Sequence, residues 1–481
     1  MLRSHGPDAA PNSNGTTTNT PTEDVAVHVQ SAPEDQPLLT DEQDKDKDKK
    51  PVKAKKAAVA AAPPTKVLFL DGVRGLAAML VVTQHSHEYM QDLNLGAVAV
   101  DSFFVLSSFL LTWLFTKKSI RMVNQDAGVR KWFFALCDYF SKRFCRVYPL
   151  FAVTCVALWA MSDEAKKQYF LIKQPEHFDL YKTLTFEFEY RYFVFWTLPL
   201  EISYYFFIPV FVAGTLMLRK FWWVPFIPAY YWVVNEGWND YRTSHSLLRP
   251  HIPTFLAGSM AAVIFVKLDT WIKASGFQFR LLPKLLLRTI EFSALAVFLS
   301  IAFRGLFFIW VHKNTAPKTP GFPFVSVSLT TVFVCEMLLP SALSSIFEWS
   351  FLRYWGKISF SVYLLHSFVL YNKTVNSQPN YYCRMFSRFG LLCALATASY
   401  HLVEYPSQLL AQRITKALTE QETKGSGGLT VFWGEWANPS KMLAQRLAWA
   451  QEAKASGKWM EMLGLTGISK PAKAQPHDSA A

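Results

Sequence analysis

Residues 70–90 read LDGVRGLAAMLVVTQHSHEYM, and the centre of this stretch has the apolar character of a membrane-spanning helix. Charged and titratable side chains flank that centre, with Arg74 near one end and His85 and His87 near the other. Eleven residues correspond to about three helical turns, so Arg74 and His85 lie on one face, roughly 16 Å apart along the axis. His87 points about 200° away from that face. Ionisable residues inside spans usually face a cavity or a partner, so His85 is a candidate functional residue, and Arg74 is either a second one or an arginine that extends to the lipid headgroups.

The rest of the chain extends this pattern and predicts an all-α membrane protein. The 481 residues are 51% hydrophobic and 16% aromatic. A membrane span needs roughly 20 apolar residues, and apolar runs of about that length alternate with short charged stretches from about residue 67 to 406. We predict a polytopic bundle of about ten transmembrane helices, centred near residues 78, 106, 155, 207, 228, 260, 298, 333, 363 and 395.

Polar tails flank the predicted transmembrane domain (67–406). Residues 1–66 are too polar to form a packed core, which predicts a disordered tail. Residues 407–481 contain a stretch with helix-like apolar spacing (438–465), which either lies on the membrane or packs on the protein core. Lys and Arg are concentrated before the first span and in the loop predicted at 117–146, which places both tails in the cytosol.

The net charge of +13 does not indicate a nucleic-acid partner. The basic residues cluster beside the spans, where they orient the helices and contact anionic lipid. The partners that we predict are therefore the lipid bilayer and a substrate, with no nucleic acid, and the oligomeric state stays open. Six cysteines occur without a CxxC pair, and there is no HExxH motif, so no metal site is expected. The long tail and a sequon at Asn372 favour a eukaryotic protein of the endomembrane system or the plasma membrane.

Further polar residues lie in or beside the predicted spans. Arg143 and Arg146, one turn apart at the predicted cytosolic start of the third span, are either membrane anchors or an anion clamp. Glu201 lies in an otherwise apolar segment, so its carboxylate needs an Arg or His partner. His366 and Glu404 are either functional residues or ordinary helix-end residues.

The chain resembles the acyltransferase-3 family of integral-membrane acyltransferases. The resemblance runs from about Leu68 to Pro406 and rests on seven segments in order: LDGVRGLAAMLVVTQH, DSFFVLSSFLLT, RFCRVYP, FWTLPLEISYYFFIP, PTFLAGSMAA, GKISFSVYLLH and HLVEYP. Arg74 and His85 match the family's Arg-x10-His pattern, Arg143 and Arg146 match its Arg-x-x-Arg pattern, and Glu201 matches the acid of its Trp-Ser-Leu-x-x-Glu-like segment.

The chain departs from the family pattern at two places. The family usually has Ser-Gly-Phe where this chain has Ser107-Ser108-Phe109, a change that we expect to affect helix packing more than chemistry. Thr197 and Pro199 also replace the residue types that are usual around the family's acid, and Pro199 is expected to kink the fourth span.

The resemblance implies transfer of an acyl group, most simply acetyl, from acyl-CoA to a hydroxyl of a carbohydrate, a glycolipid or a lipophilic secondary metabolite. His85 is then the general base, a role that suits histidine near neutral pH. Arg74 binds CoA or steadies the thioester, Glu201 pairs with an arginine or orients His85, and Arg143 and Arg146 bind the CoA phosphates. The alternatives are a multi-span transporter or channel, or a catalytically inactive membrane scaffold.

Overall fold

The computed structural model describes residues 65–93, 95–239, 246–313 and 322–424. This part of the chain is helical and contains no β-strand. Its α-helices are α1 (Thr65–His85), α2 (Leu95–Asn124), α3 (Val129–Ala160), α4 (Asp163–Phe170), α5 (Leu180–Leu184), α6 (Thr197–Met217), α7 (Phe226–Asn239), α8 (Ile252–Ser275), α9 (Leu281–Ala302), α10 (Ile309–Lys313), α11 (Phe322–Leu338), α12 (Ala342–Phe347), α13 (Ser350–Lys357), α14 (Ser359–Leu370), α15 (Lys373–Asn376), α16 (Tyr381–Ser399) and α17 (Tyr405–Lys424). The N-terminal tail up to residue 64 and the stretch at 438–465 lie outside the described residues.

Five helices in the described residues are long and apolar enough to cross a membrane: Leu95–Asn124, Val129–Ala160, Phe193–Met217, Arg249–Ser275 and Leu281–Ala302. They contain the predicted centres near 106, 155, 207, 260 and 298. The other five centres lie in α1, α7, α11, α14 and α16, which are shorter or more polar. Membrane-spanning helices are therefore present, whereas the total of ten and the cytosolic side of the tails stay predictions.

The prediction of a loop at 117–146 is wrong. In the structure α2 continues to Asn124 and α3 begins at Val129, so Arg143 and Arg146 lie near the middle of one continuous helix, α3. The first half of α3 is helical because it carries apolar residues at helical spacing, Leu136, Tyr139 and Phe140, which pack against residues of α2 and α6. Asp138 on this part of α3 accepts hydrogen bonds from Lys118 (2.8 Å) and Thr415 (2.6 Å), which ties α2 and α17 to α3.

Glycines in the opening motif bring α1 into backbone contact with α12 and α13. A Cβ atom on Gly72 would lie 1.8 Å from the carbonyl oxygen of Phe347, and one on Gly75 would lie 2.0 Å from that of Leu352. Any side chain at either position would overlap the neighbouring backbone, so both positions require glycine. This contact fixes the depth and rotation of α1, and with them the direction of its polar face.

The contact between α2 and α8 explains the serine at position 108. A Cβ atom on Gly258 of α8 would lie 2.0 Å from the hydroxyl oxygen of Ser108, so α8 supplies the small residue at this crossing. The Ser108 hydroxyl donates to the carbonyl oxygen of Phe104 (2.9 Å), which satisfies it within its own helix. Ser108 therefore has a packing role in this structure.

The expected kink at Pro199 is wrong. The helix α6 begins at Thr197 after a 3₁₀-helix at Phe193–Trp196, so Pro199 lies in its first turn. A backbone N–H in the first turn has no partner within the helix, so a proline there removes no helical hydrogen bond. The proline inside α6 is Pro209, two turns beyond Glu201.

We predict that Gly75→Ala destabilises the protein, whereas Gly214→Ala does not. The added methyl group at position 75 meets a backbone carbonyl, and overpacking of this kind costs about 1–3 kcal/mol. Gly214 lies in α6 with no atom within 4 Å of the added position, so alanine there keeps or improves helix stability. Thermal unfolding of both variants in detergent tests this, and equal melting temperatures for the two would contradict the account of the α1 contact.

Candidate active site

A cavity of about 280 Å³ lies among α1, α2, α3, α6 and α14. Its charged lining residues are Asp71, Arg74, Arg143, Arg146 and Glu201, and its apolar wall comes mainly from α2. The structure thus brings together four of the five site residues that the sequence predicted. The fifth, His85, is not part of the cavity lining.

The cavity contains more positive than negative charge. Arg74 donates to Asp71 one turn earlier in α1 (3.0 Å), so its charge is balanced locally. In the described residues, Arg143 and Arg146 have no carboxylate within salt-bridge distance, and the buried Nε of Arg143 has no hydrogen-bond partner. Cationic groups inside a membrane protein are costly without a counter-charge, so these two arginines favour an anionic ligand.

Glu201 faces the cavity and accepts a hydrogen bond from the Ser107 hydroxyl of α2. It also interacts electrostatically with Arg74 and Arg143 across the cavity. No hydrogen bond joins Glu201 to His85 in the described part of the chain. Of the two roles that the sequence left open for Glu201, the geometry supports the one toward the arginines.

The partner of His85 is another histidine, His366 of α14. The His85 Nδ1 and His366 Nε2 atoms lie 3.1 Å apart, and the two rings stack with centroids 4.9 Å apart. His85 is the last residue of α1, and it remains partly exposed, whereas His366 is fully buried. His87 is exposed on the turn beyond α1 and packs against Tyr371 instead.

The sequence left His366 open between a functional role and that of an ordinary helix-end residue. The sequence places it at the end of an apolar helix and gives no sign of its partner, because the contact joins residues 281 positions apart. One sequence signal does point to His366: the predicted ten-span topology places the end of α14 at the same outer level as His85. The Nδ1 of His366 is held by the carbonyl oxygen of Tyr363 (2.7 Å).

Tyr363 links the histidine pair to the cavity. Its side chain lines the cavity, and its ring centroid lies 6.2 Å from that of His366. The Thr197 hydroxyl, also in the lining, donates to the Tyr363 hydroxyl (3.1 Å), which in turn donates to the carbonyl oxygen of Val194 (3.3 Å). Tyr363 therefore belongs to the cavity lining and also lies next to the histidine pair.

Phe193 covers the histidine pair from the other side. Its ring centroid lies 5.2 Å from that of His85 and 5.4 Å from that of His366. Its φ angle of +46° lies in the left-handed region, which is rare for a bulky residue. Backbone strain of this kind is concentrated at functional sites, where the surrounding structure enforces it.

Glu404 lies in a short π-helix, Tyr400–Glu404, between α16 and α17. Its carboxylate is buried, accepts a hydrogen bond from the Ser361 hydroxyl and interacts electrostatically with Arg146. Isolated π-helical turns are often found at functional sites. The structure therefore places Glu404 behind the arginine side of the cavity, and it is not merely a residue at a helix end.

An ion-pair cluster, which we call the Glu88 clamp, fixes the turn that follows His85. Glu88 accepts hydrogen bonds from Arg384, through Nε at 2.9 Å, and from Arg388, through Nη1 at 2.6 Å. Arg388 also donates to the hydroxyl oxygen of Tyr89 (3.1 Å) and to the side-chain oxygen of Asn376 (2.9 Å). The hydrogen bond from Arg384 contributes most to holding the pKa of Glu88 below its usual value of 4.5.

The fold and the cavity define a class of protein, an integral membrane protein whose helices enclose a cationic internal site. A family model described as "Acyltransferase domain" matches residues 67–400, and the chain belongs to this family, the acyltransferase-3 family. This finding confirms the resemblance inferred from the sequence. In the described residues no group of three or more His, Cys, Asp or Glu side chains is arranged to hold a metal ion.

Curated relatives of the chain come from bacteria. The chain is 25% identical over 368 residues to a protein named "Putative O-acetyltransferase" in Staphylococcus aureus strain COL, and equally to one of that name in strain N315. The match covers 70% of this chain and 56% of each relative, so the chain spans little more than half of their length. "Protein 2 in picA locus" of Rhizobium radiobacter is 34% identical over 103 residues, which cover 21% of this chain and 48% of that protein. No solved structure matches the chain.

We predict that Glu88→Gln lowers the melting temperature in a pH-dependent way. Because the pKa of Glu88 is lowered in the folded protein, the clamp contributes fully above about pH 4.5 and is lost as the pH falls through the lowered value. Loss of charged hydrogen bonds of this kind lowers the melting temperature by roughly 2–5 °C for a chain of this size. Thermal unfolding of Glu88→Gln and of the exposed control Glu176→Gln at pH 7 and pH 4 tests this. A difference in melting temperature between Glu88→Gln and the wild type that is as large at pH 4 as at pH 7 would contradict the prediction.

Proposed function

We propose that this chain is a membrane O-acyltransferase that moves an acetyl group from acetyl-CoA to a hydroxyl. The acceptor class that we propose is a carbohydrate, a glycolipid or a lipophilic secondary metabolite. Membership of the acyltransferase-3 family supports acyl transfer, and the name of the Staphylococcus relatives supports acetyl as the group and oxygen as its acceptor.

The observation that carries the proposal is the arrangement of charge along α1. At one level lies the cavity, where Arg74 of α1 lies with Arg143 and Arg146, for which the described residues offer no carboxylate within salt-bridge distance. His85, the candidate base, lies roughly 16 Å from Arg74 along α1. The helix α1 therefore extends from the cavity proposed to bind an anion to the histidine proposed to accept a proton.

The shape of acyl-CoA fits this arrangement. Its phosphates lie at one end and its thioester at the other, joined by a long, narrow pantetheine arm. Guanidinium groups bind phosphates by charge-assisted hydrogen bonds, which assigns the phosphate end to Arg143 and Arg146. The arm then extends along α1 past Tyr363, so that the thioester reaches the level of His85.

The chemistry at His85 is proton transfer to and from oxygen and sulfur. His85 takes the proton of the acceptor hydroxyl as that oxygen attacks the thioester carbon, and the C–O bond forms. The C–S bond then breaks, and His85 returns the proton to the departing sulfur, which leaves as the CoA thiol. The acceptor approaches from the partly exposed side of His85.

The cavity residues have supporting roles in this proposal. Arg74 lies at the cavity level, far from His85, so we assign it to the phosphate end rather than to the thioester. Glu201 faces Arg74 and Arg143 and limits the excess of positive charge when the cavity holds no anion. We also propose that the chain is a multi-pass protein of a eukaryotic endomembrane or plasma membrane, for which the support is the sequon at Asn372.

We predict that His85→Gln strongly slows transfer but keeps acyl-CoA binding. A general base contributes about 10²–10⁴-fold to rate, so turnover with a panel of hydroxyl acceptors falls by that factor in purified protein. The control His87→Gln removes an exposed histidine two residues away and keeps wild-type turnover. Full activity of His85→Gln would refute its role, and a folded wild type that neither binds nor turns over acyl-CoA would favour the transporter or scaffold.

We predict that Arg143→Gln and Arg146→Gln each weaken CoA binding by about 10–100-fold. A charged hydrogen bond is worth about 1.5–3 kcal/mol, and 1.4 kcal/mol corresponds to a tenfold change in Kd. Binding of pantetheine, which has no phosphates, stays unchanged in both variants, as does CoA binding by the exposed control Lys284→Gln. Equal losses for CoA and pantetheine would place the phosphates elsewhere.

A further inference from the structure

We propose that His366 is a positioning residue that fixes the tautomer of His85, so that the Nε2 atom of His85 is the free base. This inference rests on the proposed function, because it assigns His366 a role in the same proton transfer. It is based on two hydrogen bonds in series, one between the Tyr363 carbonyl and His366 and one between His366 and His85.

The Tyr363 carbonyl group sets the donor and acceptor of both hydrogen bonds. A carbonyl oxygen only accepts hydrogen bonds, so the His366 Nδ1 atom, 2.7 Å from the Tyr363 oxygen, must carry a proton. A neutral imidazole carries one proton, which leaves the His366 Nε2 atom with a lone pair. His366 is fully buried, and a positive charge on it would be costly in this setting, so the neutral form is the relevant one.

The tautomer of His85 follows from that of His366. The His366 Nε2 lone pair accepts a hydrogen bond, and the atom 3.1 Å away is the His85 Nδ1. His85 therefore carries its proton on Nδ1, and its Nε2 is left unprotonated. The other tautomer would put two lone pairs against each other at this distance.

His366 acts here as an uncharged counterpart of the acid in a Ser-His-Asp triad. In such triads the partner of the histidine holds the ring in the correct tautomer and orientation. When His85 accepts a proton on Nε2, its Nδ1–H still donates to His366, so the hydrogen bond persists through the reaction. The ring of Phe193, packed against both imidazoles, holds the pair in this stacked arrangement.

Two substitutions of His366 separate a tautomer role from a packing role. In His366→Gln the amide oxygen lies about where Nε2 was and can still accept from His85 Nδ1. In His366→Asn the shorter amide occupies the position of Nδ1 beside the Tyr363 carbonyl and does not reach His85. Both variants remove the ring and leave a polar amide, so they perturb the packing to a similar degree.

We expect His366→Asn to lower kcat at least tenfold, with KM for acetyl-CoA unchanged, and His366→Gln to recover most of that loss. The decrease in kcat stays smaller than the rate enhancement of about 10²–10⁴-fold from a general base, because His85 itself remains. Equal losses for the two variants at equal melting temperatures, or a loss that appears in KM alone, would overturn the proposal.

A second measurement tests the tautomer without any activity assay. Nitrogen NMR of the full chain in lipid, with ¹⁵N-labelled histidine and the His85→Asn variant for assignment, reports which ring nitrogen of His85 is protonated. We expect protonation at Nδ1, and protonation at Nε2 would refute the inference. If the tautomer is as expected but the wild type shows no transfer, the proposed function fails while the geometry of the pair stands.

Discussion

The close approach of α1 to α12 and α13 is the contact on which the site depends. Gly72 and Gly75 place the α1 backbone directly against backbone carbonyls, so the helix cannot shift or rotate without a clash. The same helix carries Arg74 at the cavity and His85 at the histidine pair. The partner helix α12 is fixed in turn, because the Glu336 carboxylate accepts from the Ser341 backbone and from Arg288, both at 2.9 Å.

The bilayer explains why the remaining polar groups fall into two kinds. Most are satisfied inside the protein, as where the hydroxyl of Ser259 on α8 bonds with those of Thr112 (2.9 Å) and Tyr204 (2.8 Å). A membrane interior offers no water to replace such partners. Arg143 and Arg146 differ, because they line the cavity and no carboxylate among the described residues lies within salt-bridge distance of them. The excess of positive charge at one cavity therefore marks the candidate site.

The sequence predicted the helical membrane fold and the polar face of α1, because both follow from local spacing along one helix. It also predicted the Arg143 and Arg146 pair, and the structure places Glu201 in the same cavity. It could not predict the His85–His366 contact, which joins residues 281 positions apart. The errors at 117–146 and Pro199 both concern helix boundaries, which depend on packing partners in α2 and α6 and on the first residue of α6, and the sequence did not reveal these.

The most direct test of the central claim is a cryo-EM structure of the full chain with CoA bound. The account predicts that the CoA phosphates contact Arg143 and Arg146 and that the arm extends along α1, with the thiol directed past Tyr363 toward His85. A structure in which CoA binds outside the cavity would contradict the account, as would one in which its thiol points away from the histidine pair.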